Sequence, residues 1–194
     1  MPRATILVVR LFIALTPPPV VVEELRTATE ALRADRSGMR WTGPEQWHLT
    51  LAFLGQVDDR ARDELTERLA RVAARHPPLA LSLGGGGRFG DRVLWTRVLG
   101  ETDGLRRLAA SVQAAARRAR LPVDERPYRP HLTLARRTGV HADLRPAVTE
   151  LAGFAGRPWT AEELHLVRSH LGAGPGGTAR HEPIDSWQLG RREP

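Results

Sequence analysis

The chain has 194 residues, of which 41% are hydrophobic and 26% are charged, and its formal net charge is +7. This length and composition are typical of one globular domain that can bury a core, and the lack of cysteine excludes disulfides and thiolate metal sites. All 29 basic residues are arginine, which suits bidentate phosphate contacts. The same bias is typical of a GC-rich genome, so composition alone does not identify an anionic partner.

The apolar run near the N-terminus predicts a buried strand at residues 10–15. A secretion signal is a poorer interpretation, because Arg10 interrupts the run and three prolines follow at residues 17–19. No stretch of about 20 apolar residues is present, so no membrane-spanning segment is predicted and we expect a cytoplasmic protein. Residues 1–9 are interpreted as an N-terminal extension or an added strand.

Helical and strand-like patterns alternate through the first half of the chain. Apolar residues at helical spacing over residues 21–32 predict the first helix. Residues 39–46 are expected to form a loop that leads into a strand at residues 47–54, which Gly55 should end. A second helix is expected to start at Asp58, because an aspartate there can cap the free amide groups of the first turn.

A glycine-rich segment separates the next two predicted strands. Residues 79–83 and 92–99 predict a hairpin, and residues 84–91 are expected to form its flexible loop. The glycine run lacks the Gly-Lys-Ser/Thr ending of a phosphate-binding loop, and no helix follows it directly. We therefore do not assign it to nucleotide binding.

The second half of the chain repeats this organisation. Its predicted elements are a helix at 105–119, a loop at 124–130, a strand at 131–135, a short helix at 143–151 and strands at 159–171 and 178–189. The order favours the α+β class with mainly antiparallel sheets and outer helices. We predict one domain over residues 1–194, built as two pseudo-symmetric lobes around a central cleft.

The pentapeptide HLTLA occurs twice, at residues 48–52 and again 83 positions later at residues 131–135. Because side chains alternate along a strand, each copy places its histidine and threonine on one face and its two leucines on the other. A duplication that served only packing would keep the leucines without needing the polar pair. We therefore predict a cleft into which four side chains point: His48, Thr50, His131 and Thr133.

These side chains suit acid–base chemistry at a phosphodiester. Near neutral pH one imidazole can donate a proton while the other accepts one, on opposite sides of a reacting centre. Threonine hydroxyls can donate to the non-bridging oxygens, and no metal or cofactor is required. Arg136 is the candidate positive charge, but strand alternation points it away from His131 unless a bulge or the strand end turns it. The other histidines lack acidic companions at ligand spacing, so no metal site is predicted.

The sequence resembles the two-histidine phosphoesterase superfamily, and within it the RNA 2′,3′-cyclic phosphodiesterases historically called 2′–5′ RNA ligases. The similarity covers nearly the whole chain and is carried by residues 10–15, 47–55, 92–95, 126–136 and 168–172. It implies a bilobal fold with both motifs facing a groove. It also implies metal-independent hydrolysis of a 2′,3′-cyclic phosphate at an RNA end to a 2′-phosphate.

The resemblance further implies a role for each motif residue. His48 would be the general acid that protonates the departing 3′ oxygen, and His131 would be the base that acts on water. Thr50 and Thr133 would hold the phosphate, with Arg136 assisting.

Three residues outside the motifs bear on the nucleobase. Phe12 and Tyr128 are expected to line the groove and stack on a base. His181 departs from the resemblance, because the family usually has a tyrosine at that place. Contact with the nucleobase is therefore expected to differ there.

Two other functions stay open on the sequence alone. One is RNA ligation, the same chemistry run in reverse between a cyclic phosphate and a 5′-hydroxyl. The other is a module that binds RNA or nucleotide ends without turnover. For all three functions the expected partners are RNA ends or nucleotides with a 2′,3′-cyclic phosphate, and the protein is expected to be a monomer that uses no cofactor.

Overall fold

The structure is a computed structural model, and it describes residues 9–34, 38–138, 143–174 and 177–190. The predicted N-terminal extension lies outside the described residues except for Val9, with which the first strand begins. Within the described residues no helix is both long and apolar enough to cross a membrane.

Nine strands, four α-helices and two short 3-10 helices form the described part of the chain. The strands are β1 (Val9–Leu15), β2 (Met39–Trp41), β3 (Leu49–Val57), β4 (Leu79–Phe89), β5 (Val93–Gly100), β6 (His131–Arg137), β7 (Trp159–Ala161), β8 (Glu163–His170) and β9 (Arg180–Gln188). The α-helices are α1 (Pro19–Ala34), α2 (Asp59–Arg75), α3 (Thr102–Arg118) and α4 (Arg145–Glu150). The 3-10 helices are Pro44–Gln46 and Leu151–Gly153.

The strands form two sheets, with strand orders β3-β1-β8-β9 and β2-β6-β5-β4-β7. Every pairing between the described strands is antiparallel. The α+β class and the mainly antiparallel sheets predicted from the sequence are therefore confirmed.

The two motif strands occupy related places in the two sheets. β3 pairs with β1, and β6 pairs with β5. In each case a helix lies between the paired strands in sequence, α1 in the first sheet and α3 in the second. The lobes differ in β2, which adds a strand to the outer side of β6, whereas β3 is the edge of its own sheet.

Amphipathic helices cover the sheets and complete one continuous core. Asp58 caps α2 as predicted, accepting a hydrogen bond of 2.8 Å from the backbone amide of Ala61. The buried positions of α2 are Leu65, Leu69 and Ala73, which recur at helical spacing. The core cluster includes side chains from both sheets and from the helices that pack on them. The two lobes thus share a core.

The glycine-rich segment is not the predicted flexible loop. Residues 84–89 continue β4, which pairs with β5 along its length. A side chain at Gly87 would overlap the ring of Trp95, so the glycine allows that ring to lie directly against the backbone of β4. The composition was misleading because the glycines serve close packing within a sheet.

Two further boundaries differ from the sequence prediction. Residues 39–41 form β2, so the predicted loop contains an edge strand. Gly55 does not end the first motif strand, because β3 continues to Val57 through Gly55 in a left-handed conformation with φ of 67°. Glycine has no Cβ and adopts this conformation without strain, so the chain can bend there and still pair.

Candidate active site

Both copies of the pentapeptide contribute to one cleft of about 600 Å³ between the two sheets. His48 and Thr50 line it from the first sheet, and His131 and Thr133 line it from the second. Arg136 lines it as well. The structure thus brings together the five side chains that the sequence singled out for phosphate chemistry.

A β-bulge interrupts each motif strand at the same place. In the β3–β1 pair, Thr50 and Ala52 lie opposite consecutive residues of β1. In the β6–β5 pair, Thr133 and Ala135 lie opposite consecutive residues of β5. The second leucine of each pentapeptide is therefore an extra residue, which is the definition of a bulge. Because each bulge shifts the alternation by one residue, the residue that follows the pentapeptide turns to the face of the histidine and threonine.

The bulges place Arg136 and Phe53 at equivalent positions in the cleft. Strict alternation would point Arg136 away from His131. The bulge reverses the direction of the Arg136 side chain, so that it faces the cleft together with His131. Phe53 lines the same cleft from the opposite sheet, and it is 56% exposed. The two walls therefore carry the same imidazole and hydroxyl, but one ends in a cation and the other in an aromatic ring.

Residues outside the motif strands form hydrogen bonds with the carbonyl oxygen at each bulge. The backbone amide of Thr42 donates to the carbonyl oxygen of Leu134 at 2.9 Å, and the Thr42 hydroxyl lies 2.8 Å from the same oxygen. Trp47 Nε1 donates to that hydroxyl oxygen at 3.0 Å. In the other lobe, Gln113 Nε2 donates to the carbonyl oxygen of Leu51 at 3.3 Å. Both bulge carbonyls are thus satisfied, which holds the bulges in place.

A backbone carbonyl two residues earlier orients each imidazole. His131 Nδ1 lies 2.7 Å from the carbonyl oxygen of Arg129. Because a carbonyl oxygen only accepts, Nδ1 carries the hydrogen, and the neutral ring keeps its lone pair on Nε2. The His48 ring is likewise hydrogen-bonded to the backbone of Gln46. The two rings are therefore held in the same way by their own chain.

Aromatic rings pack against both imidazoles. The His131 ring lies edge-on to Phe89, with ring centroids 4.8 Å apart, and 6.1 Å from Trp95. The His48 ring lies 4.6 Å from Phe12. These contacts limit ring rotation and shield the imidazoles from water on one side.

The two predicted base-stacking residues are not placed for that role. Phe12 lines the cleft but is only 3% exposed, because its ring is covered by His48 and its neighbours. Tyr128 does not line the cleft; it packs against the core, with a buried hydroxyl. The exposed aromatic ring at the cleft is Phe53, which sequence reasoning did not assign to the site. Its position matches that of Arg136, and this correspondence was the signal that could have identified it.

His181 is the third histidine that lines the cleft. Its ring lies edge-on to His48 and to Phe12, with centroids 5.0 Å away in both cases. Burial lowers the pKa of His181, and the charge of Glu45 partly offsets this effect. The departure from the family pattern noted in the sequence thus lies directly beside a motif histidine.

The electrostatics of the cleft disfavour protonated imidazoles in the free protein. Burial in the first place, together with the charges of His181, His131 and Arg136, lowers the pKa of His48 to about 3. Burial and then the charge of Arg136 also lower the pKa of His131. No aspartate or glutamate occurs among the described residues that line the cleft. A bound anion would supply the missing negative charge and favour imidazole protonation.

Among the described residues, no group of three or more histidine, aspartate or glutamate side chains is arranged to hold a metal ion. His170 lies outside the cleft lining, and its Nε2 atom is 2.7 Å from Oε2 of Glu182.

Comparisons with known proteins agree on one family. The family model described as the 2′-5′ RNA ligase superfamily matches residues 17–173. A Thermus thermophilus protein named RNA 2′,3′-cyclic phosphodiesterase is 34% identical over 175 residues, which cover 84% of this chain and 82% of the relative. A Bacillus subtilis protein of the same name is 32% identical over 154 residues, covering 77% of this chain and 80% of the relative. A Geobacillus stearothermophilus relative is 33% identical, and the match spans 47% of its length.

Solved structures share the fold over almost the whole chain. A Thermus thermophilus structure superposes with a TM-score of 0.77 at 29% identity, covering 95% of this chain and all of the other. Escherichia coli LigT, solved in complex with ATP, superposes with a TM-score of 0.68 at 26% identity, with coverage of 95% and 100%.

Proposed function

The chain belongs to the 2′-5′ RNA ligase superfamily, and from this premise we propose that it hydrolyses RNA 2′,3′-cyclic phosphate ends to 2′-phosphates. His48 is the general acid and His131 is the general base. The observation that carries the proposal is the pair of matched imidazoles, which face one cleft from two sheets and are each anchored by the preceding backbone. Binding alone would require neither the matched pair nor its anchoring.

The reaction is a displacement at phosphorus between the two histidines. Neutral His131 takes a proton from water through Nε2, and the water oxygen bonds to phosphorus. The bond from phosphorus to the 3′ oxygen breaks, and protonated His48 gives its proton to that oxygen. The product carries a 2′-phosphate and a free 3′-hydroxyl. His131 then loses its proton to solvent, and His48 regains one when the next substrate binds, which restores the reactive state.

The surroundings of the histidines support this division of roles. His48 lies near three other cationic or titratable groups, so its protonated form is the less stable and the stronger proton donor. A strong donor suits a departing alkoxide, which is strongly basic. His131 keeps Nδ1 on the Arg129 carbonyl and thus exposes the Nε2 lone pair that a base needs.

The remaining motif residues bind the phosphate in this proposal. The hydroxyls of Thr50 and Thr133 donate to the non-bridging oxygens, one from each wall of the cleft. Arg136 balances the charge that develops on those oxygens in the transition state. Phe53 offers an exposed ring for stacking against the terminal base.

We also propose that the protein acts as a monomer in the cytoplasm on RNA ends. The cleft is formed by two sheets of a single chain, so no second copy is needed to complete it. Sedimentation equilibrium tests the monomeric state, and fractionation of native cells tests the location.

Incubation with an RNA oligonucleotide that ends in a 2′,3′-cyclic phosphate tests the proposed function. In EDTA the wild-type protein should release 2′-phosphate ends, identified by chromatography against 2′- and 3′-phosphate standards. His48→Ala and His131→Ala should each lower the rate by about 10²- to 10⁴-fold, the usual contribution of a general acid or base. His76→Ala is the matched control, since His76 contacts Ser111 outside the cleft.

Absence of turnover between about pH 5 and pH 8, the range in which imidazoles exchange protons, would refute the proposed activity. Full activity in both cleft variants would refute the assigned roles while leaving the activity intact. A 3′-phosphate product would show that the other P–O bond breaks. The same assay with a 5′-hydroxyl RNA added measures ligation.

A further inference from the structure

We propose that the cleft holds a second phosphate-binding position, formed by Arg40 beside Arg136, for the phosphodiester on the 5′ side of the terminal nucleotide. This position makes the protein selective for RNA ends over cyclic mononucleotides, which lack that phosphodiester. The inference rests on the proposed function and deepens it by naming the class of substrate.

The strand register places the two arginines side by side. Arg40 of β2 and Arg136 of β6 are direct partners in the antiparallel ladder. Directly opposite residues project from the same face of a sheet, with Cβ atoms about 5 Å apart. Both side chains line the cleft. Two like charges at this spacing destabilise a sheet unless a counter-charge lies between them.

The protein itself supplies no such counter-charge in the described part of the chain. Neither Arg40 nor Arg136 takes part in any ion pair of the described residues, and the cleft lining contains no carboxylate. The contrast with Arg137 is direct, because this next residue of β6 pairs with Asp91 at 2.6 Å. The exposed pair therefore fits an anionic ligand, and guanidinium groups bind phosphate oxygens in bidentate geometry.

The order of charges along the cleft matches the order of phosphates in RNA. Burial is the main cause of the lowered pKa values of His48 and His131, and partial desolvation of the guanidinium group is the main cause for Arg136, although the residue as a whole is exposed. The charge of Arg136 also lowers the pKa of both histidines, whereas the charge of Arg40 lowers that of Arg136. The strand order agrees, because Arg136 lies on the motif strand three residues after Thr133 and Arg40 lies one strand further out, on β2. In an RNA end, the cyclic phosphate and the next phosphodiester are likewise separated by one ribose.

The fold explains why this position exists in only one lobe. β2 is the additional strand on the outer side of β6, and β3 has no equivalent neighbour. The hydrogen bonds from Thr42 to the β6 bulge fix the end of β2 against the motif strand. The same contact therefore orients Arg136 and places Arg40 beside it.

Three substrates and three variants test the second position. The substrates are adenosine 2′,3′-cyclic phosphate, the dinucleotide ApA with a 2′,3′-cyclic phosphate, and that dinucleotide with an uncharged methylphosphonate linkage. The variants are Arg40→Gln, Arg40→Lys and the control Arg117→Gln, which changes an exposed residue of α3 outside the cleft lining. Thermal unfolding of each variant shows that the fold is kept.

The wild-type protein and the control should prefer the dinucleotide over the mononucleotide by about 10- to 100-fold in kcat/KM, the scale of one hydrogen-bonded charge contact. Arg40→Gln should remove most of this preference, mainly through KM, and Arg40→Lys should restore part of it. The methylphosphonate linkage should remove it in the wild-type protein. Arg40→Gln should also make KM for the dinucleotide less sensitive to salt. A plot of log(1/KM) against log[salt] should be less steep by about 0.7, the value for one phosphate contact in single strands.

Equal kcat/KM for the three substrates in the wild-type protein would overturn the second position and leave the hydrolysis proposal standing. The same conclusion follows if Arg40→Gln lowers kcat/KM for all three substrates by the same factor. Failure of the wild-type protein to hydrolyse any substrate would instead refute the proposed function. The methylphosphonate comparison uses unmodified protein, so the test does not depend on the stability of a variant.

Discussion

Anion binding in the cleft should raise the pKa of His48, and the size of this rise decides whether His48 can act as an acid. In the free protein the pKa of His48 is lowered to about 3, mainly by burial and in part by the charges of His181, His131 and Arg136. Protonating such a group at pH 7 costs about 5 kcal/mol, since each pH unit corresponds to about 1.4 kcal/mol. Without substrate, His48 is therefore neutral at physiological pH.

A bound anion should offset most of this cost. One negative charge about 4 Å from a protonated imidazole contributes roughly 4 kcal/mol at an effective dielectric constant of 20. This energy corresponds to about three pH units, which would bring the pKa of His48 to about 6 in the complex. Substrate binding would thereby create the acid that the reaction needs.

Histidine ¹⁵N NMR measures this change directly. Sulfate is a suitable probe because its charge is constant from about pH 8 to about pH 4.5, the range in which a perturbed imidazole is followed. Without sulfate, His48 should keep the shifts of a neutral ring down to the lower limit. With saturating sulfate it should titrate near pH 6, while His76, outside the cleft, should not respond to sulfate. A His48 ring that stays neutral in the complex would refute its role as the acid.

Three further results are expected from substitutions and pH. Thr42→Val should lower kcat/KM by about tenfold, because it removes the hydroxyl that braces the β6 bulge and lets Arg136 turn away; steady-state kinetics measures this. Gly87→Ala should lower the free energy of unfolding in urea by about 1–3 kcal/mol, because the new methyl group displaces the Trp95 ring. The free energy of unfolding of the wild-type protein should fall as the pH falls below about 6.5. The histidine pKa values are lowered in the folded protein, so the unfolded chain binds more protons in this range. The decrease should be at most about 1.4 kcal/mol per pH unit for each cleft imidazole. His48→Gln should reduce this pH dependence, and an unchanged slope would contradict the cause assigned to the shift.

The repeated pentapeptide places its histidine and threonine side chains in one cleft because strand alternation is a local property. His48 and Thr50 are two residues apart, so any strand places them on one face. The position of Arg136 needed more than local pattern, because its direction depends on a bulge. The bulge arises from pairing with β5 and from the Thr42 contacts, both of which join distant parts of the chain.

Predictions from composition were less successful than predictions from periodicity. A glycine run is typical of a loop, but in β4 the missing side chains make room for Trp95 and Leu151 against the strand. An aromatic residue near a motif suggests base stacking, but the sequence does not show whether its ring is buried. Phe12 proved to be covered, and Phe53 proved to be exposed. In each case residues distant in the sequence decide whether the segment pairs as a strand or whether the ring is exposed, and the local sequence does not show these neighbours.

A substrate with sulfur in place of the bridging 3′ oxygen tests the central claim most directly. A thiolate leaves without protonation, so this substrate needs the base but not the acid. If His48 is the acid and His131 the base, His48→Ala should hydrolyse the 3′-thio substrate at close to the wild-type rate, and His131→Ala should remain about 10²- to 10⁴-fold slower. Rescue of His131→Ala instead, or of neither variant, would contradict the assigned roles.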